Sequence, residues 1–288
     1  MKNFIPKLKF QFDQETFLNY AENGNGEISL IFLAGFGQAT YSWDCFNERL
    51  NINTNLFTIY YIDLLGFGFS TKRKANVYSI EKQAQVLCSF LNYKKITSLV
   101  LVGHSFGGLV CLSILNYLKQ KKLNVHCKSL ILFDTPAFLG SEPSFVKALR
   151  NPILRFIGSI FYSPSITAKQ TIYNTFYNAK SGLNSFYELY YFFYNLPQCY
   201  KAMSMVANQT SEKLLTDLEK SYKDIEIPTL LIWGKQDKMI PLKYGEKLHS
   251  EIRNSVLKII EECGHIPLQE KPKEAAEIFS QFIKATIS

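Results

Sequence analysis

Residues 99–108 read Leu-Val-Leu-Val-Gly-His-Ser-Phe-Gly-Gly, a sequence that indicates a strand, a tight turn and a helix in direct succession. The four apolar residues 99–102 predict a buried strand, and the apolar stretch 106–120 predicts a helix that begins directly after Ser105. Glycines on both sides of the serine allow a sharp turn that holds its hydroxyl exposed at the tip. We therefore interpret Ser105 as a nucleophile, since no lysine follows as it does in a phosphate-binding P-loop.

Similar apolar runs recur on both sides of this stretch, and each is closed by a turn residue. Strands buried on both faces of a parallel sheet have this character. Because helix-period stretches lie between the runs, the alternation predicts an α/β fold with a mostly parallel, doubly wound sheet. A polar and apolar hairpin over residues 9–21 would add antiparallel edge strands. The predicted strands are 28–33, 56–62, 99–102, 130–133, 229–233 and 256–260, and the predicted helices are 79–91, 106–120, 243–252 and 272–287.

One segment interrupts the alternation of strands and helices. Residues 137–224 contain no convincing strand, and four prolines divide them into several short helical stretches rich in aromatic residues. We predict a helical cap over 137–224, inserted into a core formed by residues 1–136 and 225–288. Its aromatic side chains either pack the cap or line an apolar substrate pocket, and both alternatives stay open.

The composition is that of a globular protein that can bury a large core. The 288 residues are 47% hydrophobic and 19% charged, and 32 Lys and Arg against 24 Asp and Glu give a net charge of +8. The densest basic runs, residues 72–74 and 119–122, are short and typical of solvated surfaces, so we expect no nucleic-acid partner. An acidic partner or an anionic membrane surface stays open.

Targeting signals and cysteine usage indicate a cytoplasmic protein. Lys7 and Lys9 interrupt any signal-peptide apolar stretch, and no uncharged apolar run approaches the ~18 residues of a transmembrane helix. The six cysteines form no Cys-x-x-Cys pair and several lie in apolar runs, as free thiols do in a reducing compartment.

A serine nucleophile needs a base, and the chain has only four histidines. His104 adjoins Ser105, so its ring should point away from the hydroxyl and pack. His126 and His249 have polar neighbours and are typical of surface residues. His265 follows the apolar run 256–260 in a glycine-containing loop that can reach the carboxyl edge of the sheet, and we predict that it is the base.

The base in turn needs a carboxylate that fixes its tautomer. Asp134 and Asp237 both follow predicted strands, and the chain order serine, aspartate, histidine fits either. We favour Asp237, whose loop can reach the loop of His265, and we expect Asp134 to hold the start of the cap. Asp63 precedes the serine and is typical of a residue that stabilises a turn.

Two backbone N–H groups are expected to stabilise a developing oxyanion. Phe106 offers one at the start of its helix, and Phe36, in a glycine loop after the first core strand, offers the second. No cofactor or metal is expected, because residues 66–71 lack the third glycine of a dinucleotide fingerprint and the histidines and cysteines lack metal-ligand spacing.

These motifs together resemble the α/β-hydrolase superfamily, over nearly the whole chain outside the cap. The chain departs from the family at Ala34, where histidine usually precedes the oxyanion loop. The stretches that carry the resemblance are Gly35-Phe36-Gly37, Asp63…Gly66-Phe67-Gly68…Ser70, Gly103 to Gly108, Trp233-Gly-x-x-Asp237-x-x-x-Pro241 and Gly264-His265-x-Pro267-x-x-Glu270-x-Pro272.

The resemblance implies a serine hydrolase that cleaves a carboxylic ester of a hydrophobic acyl group through an acyl-enzyme. Its substrate class stays open among carboxylesters, monoacylglycerols or lysophospholipids, thioesters and carbon–carbon bonds. The positive charge suggests acyl methyl esters carried on an acidic acyl carrier protein, as in the pimeloyl-carrier esterases. A ligand-binding receptor on the same fold is the alternative that is not an enzyme.

Overall fold

A computed structural model describes residues 8–73 and 77–287. Residues 1–7, which include most of the N-terminal stretch used above, and Lys74 of the first basic run lie outside the described residues. The described strands are β1 (Leu8–Gln11), β2 (Phe17–Gly24), β3 (Ile28–Leu33), β4 (Phe57–Ile62), β5 (Ser98–His104), β6 (His126–Phe133), β7 (Thr229–Gly234) and β8 (Ser255–Ile260).

Helices follow most of these strands. The described α-helices are α1 (Asp44–Asn47), α2 (Ile80–Tyr93), α3 (Phe106–Lys121), α4 (Ser144–Arg150), α5 (Pro152–Phe161), α6 (Pro164–Thr175), α7 (Ala179–Tyr194), α8 (Cys199–Gln209), α9 (Glu212–Ser221), α10 (Lys243–Glu251), α11 (Pro267–Glu270) and α12 (Pro272–Thr286), with short 3₁₀ turns at Thr40–Trp43 and Tyr222–Asp224.

The eight strands form one sheet in the order β1-β2-β4-β3-β5-β6-β7-β8. Strands β3 to β8 pair in parallel, and β1 and β2 add an antiparallel edge. The predicted doubly wound sheet is confirmed, and so is the hairpin predicted over residues 9–21.

Central strands are buried on both faces, as their unbroken apolar sequences predict. In β3 the ring of Phe32 packs edge-on against Trp43, at 5.0 Å between ring centroids, and lies 5.9 Å from the ring of Phe279 in α12. The helix α3 contacts the same strand and also packs against α2. The core therefore extends through the sheet and fixes the carboxyl ends of β3, β5, β6, β7 and β8, from which the site is built.

Six helices, α4 to α9, lie between β6 and β7, and no strand occurs in residues 134–228, all of which are described. The prolines act as predicted: Pro152 and Pro164 occupy the first turns of α5 and α6, where a missing N–H costs no hydrogen bond. Most of the aromatic residues pack: Tyr190 is buried, and Phe193 stacks on Tyr41 at 4.1 Å between ring centroids.

Two further expectations can be compared with the described residues. All six cysteines are free, and five of them are buried. Within the described ranges, no helix combines the length and the apolar character that a membrane span requires.

Candidate active site

Ser105 lies at a sharp turn between β5 and α3. Its backbone has a φ of 51° and a ψ of −120°, a strained conformation for a residue with a side chain. The turn is held by the Ser105 N–H, which donates to the carbonyl of Phe133 at 2.8 Å. A Cβ at Gly107 would lie 2.3 Å from the carbonyl oxygen of Leu33, so only glycine lets the new helix pass this close to β3.

The structure brings the three predicted side chains into one hydrogen-bonded chain. Ser105 Oγ lies 3.0 Å from His265 Nε2, and His265 Nδ1 lies 2.7 Å from Asp237 Oδ2. Because an ionised carboxylate only accepts, Nδ1 carries the proton and Nε2 is free to accept from the serine hydroxyl. All three residues are buried, so little water competes for these bonds.

Asp237 is fixed by its own loop. Its Oδ1 atom accepts the backbone N–H groups of Met239 at 2.7 Å and Ile240 at 2.9 Å. These two bonds leave Oδ2 for His265 and set the orientation of the carboxylate.

The loop that carries His265 is held partly by the helical insertion. The His265 N–H donates to the carbonyl of Thr175, at the end of α6, at 2.6 Å. Glu270 accepts the N–H of Gly264 at 2.8 Å and that of Tyr177 at 2.7 Å, and so bridges this loop to the insertion. Burial raises the pKa of Glu270. Sequence reasoning missed these links, because their partners lie about 90 positions away along the chain.

Asp134 does not hold the start of the cap, so that expectation was wrong. Its Oδ1 accepts the N–H of Gly234 at 2.9 Å, while Oδ2 has no partner among the described residues. Parallel pairing of β6 with β7 places this carboxyl group at the base of the loop of Asp237. Burial, followed by the negative charge of Asp237, raises the pKa of Asp134 well above its ordinary value. Asp134 therefore holds a proton more readily than an exposed aspartic acid does.

Asp134, Asp237 and His265 offer atoms within 4.8 Å of one another, a spacing that could in principle suit a metal ion. The chemistry of the set opposes this use. His265 Nδ1 and Asp237 Oδ2 are engaged with each other at 2.7 Å, and His265 Nε2 is engaged with Ser105 Oγ at 3.0 Å, so the ligand atoms of this pair already have partners.

His104 has the structural position that the sequence predicted, with its ring turned away from the serine hydroxyl. The ring is buried, its Nε2 donates to the backbone carbonyl of His265 at 2.8 Å, and its Nδ1 lies 3.2 Å from Gln38 Oε1. His104 thus ties the histidine loop to the end of β5. Asp63 also behaves as predicted, since it accepts the N–H groups of Thr40 and Phe69 at 2.8 Å each.

From the burial of His104 we predict that the free energy of unfolding decreases in acid. Burial, followed by the nearby His265 ring, lowers the pKa of His104 from 6.5 to about 3. Below pH 6.5 the unfolded chain therefore binds a proton that the folded protein refuses, so stability falls as the pH falls. We expect the stability advantage of the wild type over His104→Gln to shrink by about 2 kcal/mol between pH 6.5 and about 4.5. Urea unfolding at several pH values measures this difference, and a difference independent of pH would contradict it.

The two predicted oxyanion donors lie on either side of the serine. Position 35 is close enough that a Cβ there would lie 3.2 Å from the Ser105 Cβ, which brings the loop of Phe36 against the nucleophile. The rings of Phe36 and Phe106 meet edge to face at 6.1 Å. Neither backbone N–H donates to an acceptor within residues 8–73 and 77–287. Both are therefore available to an oxygen of a ligand.

A cavity of about 180 Å³ opens above Ser105 and His265. Its walls are mostly apolar and include Phe145 and Tyr194 from the aromatic-rich residues 137–224, so the aromatic residues of that segment mainly pack and also contribute two lining rings. Glu142 is the one carboxylate among the described lining residues. It is paired with Arg150 at 2.9 Å, and no lysine or arginine lines the cavity in the described part of the chain. The other apolar lining residues are Phe36, Phe106, Leu109, Pro136, Pro143, Val146, Met203 and Met239.

Comparison with known proteins agrees with this architecture. The sequence pattern of the alpha/beta hydrolase fold family matches residues 28–272. The chain is 26% identical over 264 residues to the uncharacterised hydrolase YugF of Bacillus subtilis, covering 90% of this chain and 91% of that protein. It is also 26% identical over 269 residues to the pimeloyl-[acyl-carrier protein] methyl ester esterase of Wigglesworthia glossinidia brevipalpis, covering 91% and 95%.

A thermophilic esterase from Thermogutta terrifontis has the same fold, with a TM-score of 0.76 at 20% identity over 99% of this chain and all of that one. The chain therefore belongs to the α/β-hydrolase fold family. Within that family it is a hydrolase, as the names of its relatives and the sequence resemblance both indicate.

Proposed function

We propose that the protein is a serine hydrolase that cleaves carboxylic esters of uncharged, apolar acyl groups through an acyl-enzyme. The observation that carries this proposal is the hydrogen-bonded chain from Asp237 through His265 to Ser105, which ends beneath an apolar cavity. A pure ligand-binding receptor would have no use for a serine joined in this way to a base.

In the proposed reaction, Ser105 Oγ forms a bond to the ester carbonyl carbon while its proton passes to His265 Nε2. Asp237 holds the imidazole in the required tautomer and stabilises its positive charge. The N–H groups of Phe36 and Phe106 donate to the oxyanion. His265 then protonates the leaving alcohol, and the acyl group stays on Ser105. Water that loses its proton to His265 attacks the acyl-enzyme, and Ser105 recovers its proton as the acid departs.

We also propose that residues 137–224 form a cap over this site. Support comes from α4 and α6, which supply Val146 and Thr171 to the cavity wall, and from the bond between Thr175 and the His265 loop. The cap would then set which acyl groups can enter.

The cavity wall predicts the charge of the acyl group. The wall has a paired carboxylate and no lysine or arginine among the described lining residues, so a terminal carboxylate on the acyl chain would lie there without a positively charged partner. We expect kcat/KM for p-nitrophenyl hexanoate to exceed that for the mono-p-nitrophenyl ester of adipic acid, its six-carbon carboxylate analogue, by at least about tenfold.

The methyl ester of the adipate substrate is the matched control, because it keeps the length and removes the charge, and it should recover most of the rate. A preference for the free carboxylate would contradict the proposed acyl class. A fluorophosphonate probe tests the chemistry separately: it should label Ser105 rapidly, and no labelling would favour a receptor.

Acyl methyl esters on an acidic carrier protein are a second candidate substrate class. The net charge of +8 favours it, because a basic protein attracts an acidic carrier. The similarity to the pimeloyl-[acyl-carrier protein] methyl ester esterase supports the same reading.

A further inference from the structure

The helix α5 has its apolar side chains on the outside of the molecule. None of its residues is buried, and six of them are large apolar side chains that are exposed, among them Phe156 at 66% and Phe161 at 76% of their surface. The other four are Ile153, Leu154, Ile157 and Ile160. A contiguous apolar surface of this kind marks an interaction site in a natural protein.

The side of α5 that faces the protein carries polar residues and a glycine instead. Arg155, Gly158 and Tyr162 are half-buried and follow one another at helical spacing. They face Tyr200 of α8, whose hydroxyl donates to the carbonyl of Arg155 at 2.8 Å. A Cβ at Gly158 would lie 2.1 Å from the same hydroxyl oxygen. A helix whose polar stripe faces the protein and whose apolar residues face outward has the reverse of the pattern expected against water.

The charge around α5 is of one sign. Residues 143–187 contain five lysines and arginines and no aspartate or glutamate. Lys147 in α4 and Lys169 in α6 are exposed on the helices that flank α5 in sequence. Arg150 is paired with Glu142, just outside this range, whereas the other four have no ion-pair partner among the described residues. Apolar side chains combined with such an excess of positive charge are typical of a helix that lies in the interface of an anionic membrane.

The same segment borders the candidate active site. Phe145 and Val146 of α4, together with Thr167 and Thr171 of α6, line the cavity above Ser105, and α5 joins these two helices. Phe145 is 40% exposed, so the cavity wall reaches the surface beside α5. A membrane bound at α5 would thus lie near this exposed part of the cavity wall.

We propose that α5 docks the protein on the surface of an anionic lipid bilayer, with its apolar side chains among the acyl chains and Lys147 and Lys169 near the headgroups. An ester drawn from the bilayer would then reach the cavity by a short path. A second copy of the chain could cover the apolar residues of α5, but it would bring the same positive charge to the interface. An acidic carrier protein would match the positive charge, but a mainly acidic surface does not match six exposed apolar side chains.

Vesicle co-sedimentation tests this proposal on the Ser105→Ala protein, so that the outcome does not depend on hydrolysis. We expect binding to mixed phosphatidylcholine and phosphatidylserine vesicles, weaker binding to phosphatidylcholine alone, and at least about tenfold weaker binding after Phe156→Ser with Ile160→Ser. The pair Val256→Thr and Ile259→Thr removes two exposed apolar residues from β8 and should bind as the parent does. Lys147→Gln with Lys169→Gln should lose the preference for phosphatidylserine.

Several results would overturn the proposal. One is the absence of binding to mixed vesicles, and another is equal binding by the α5 variant and the β8 control. A dimer in light scattering that Phe156→Ser with Ile160→Ser dissociates, without vesicle binding, would assign the surface to self-association. Binding of an acidic acyl carrier protein that the same variant abolishes, again without vesicle binding, would assign it to a carrier. Neither Phe156 nor Ile160 lines the cavity, so hydrolysis of p-nitrophenyl hexanoate should persist in the variant made with Ser105 intact.

Discussion

Replacing Ser105 with alanine is expected to lower kcat/KM for p-nitrophenyl hexanoate by on the order of 10⁵-fold or more. The Oγ atom of Ser105 is the protein atom that becomes bonded to the acyl group in the proposed reaction. It lies 3.0 Å from the nitrogen that takes its proton. Without it, His265 can at most activate a water molecule in a cavity shaped for a covalent intermediate. Initial rates with active-site titration of the wild type measure the loss.

Ser113→Ala is the matched control for this substitution. Ser113 is a buried serine on α3, the helix that begins directly after Ser105, so the control makes the same change in the same element. We expect it to keep the wild-type rate within about twofold. Activity near that of the wild type in Ser105→Ala, with labelling by the fluorophosphonate probe, would show that another residue is the nucleophile.

The local part of this site could be read from the sequence. Ser105, Asp237 and His265 each follow a strand and a glycine or turn residue, and the carboxyl ends of parallel strands meet at one edge of the sheet. Chain order and strand position were therefore enough to bring them together. The strain at Ser105 also follows from its flanking glycines.

The contacts between distant loops could not be read in this way. Nothing in the sequence near Asp134 indicates that its carboxyl group reaches the N–H of Gly234, 100 positions further on. The same holds for the bond from the His265 N–H to Thr175, because the path of the helical insertion over the sheet depends on tertiary packing. The two aspartates were equivalent by chain order, the reach of its loop favoured Asp237, and the hydrogen bonds of the structure give each its partner.

The exposure of the apolar side chains of α5 could not be predicted from the sequence either. Residues 152–161 are an apolar run with one arginine, which in a globular chain predicts a buried helix. Tyr200 on α8 approaches α5 closely at Gly158. The side of α5 that carries Gly158 therefore faces inward, and the large apolar side chains face outward. Periodicity alone identifies an amphipathic helix, and the neighbouring helix decides which side faces inward.

Asp237→Asn is expected to lower kcat/KM by about 10⁴-fold, with little effect on the fold. The reason lies in the hydrogen bonds of the carboxylate. The oxygen of the new amide would keep the N–H groups of Met239 and Ile240, so the NH₂ group would take the place of Oδ2 and face His265 Nδ1. Two donors cannot bond, and the imidazole would shift its proton to Nε2. Nε2 could then no longer accept the proton of Ser105.

Asp134→Asn is the matched control, because it makes the same change in a neighbouring buried carboxyl group. Burial and the charge of Asp237 raise the pKa of Asp134 well above its ordinary value, and an amide is close in shape and charge to the protonated acid that this shift favours. Its oxygen can still accept the N–H of Gly234, so we expect a loss of less than about tenfold in kcat/KM. Rates of both variants with the same ester decide between the two carboxyl groups. A loss of about 10⁴-fold in Asp134→Asn, with Asp237→Asn nearly active, would mean that Asp134 orients His265, since whichever carboxylate fixes the tautomer must show the large effect.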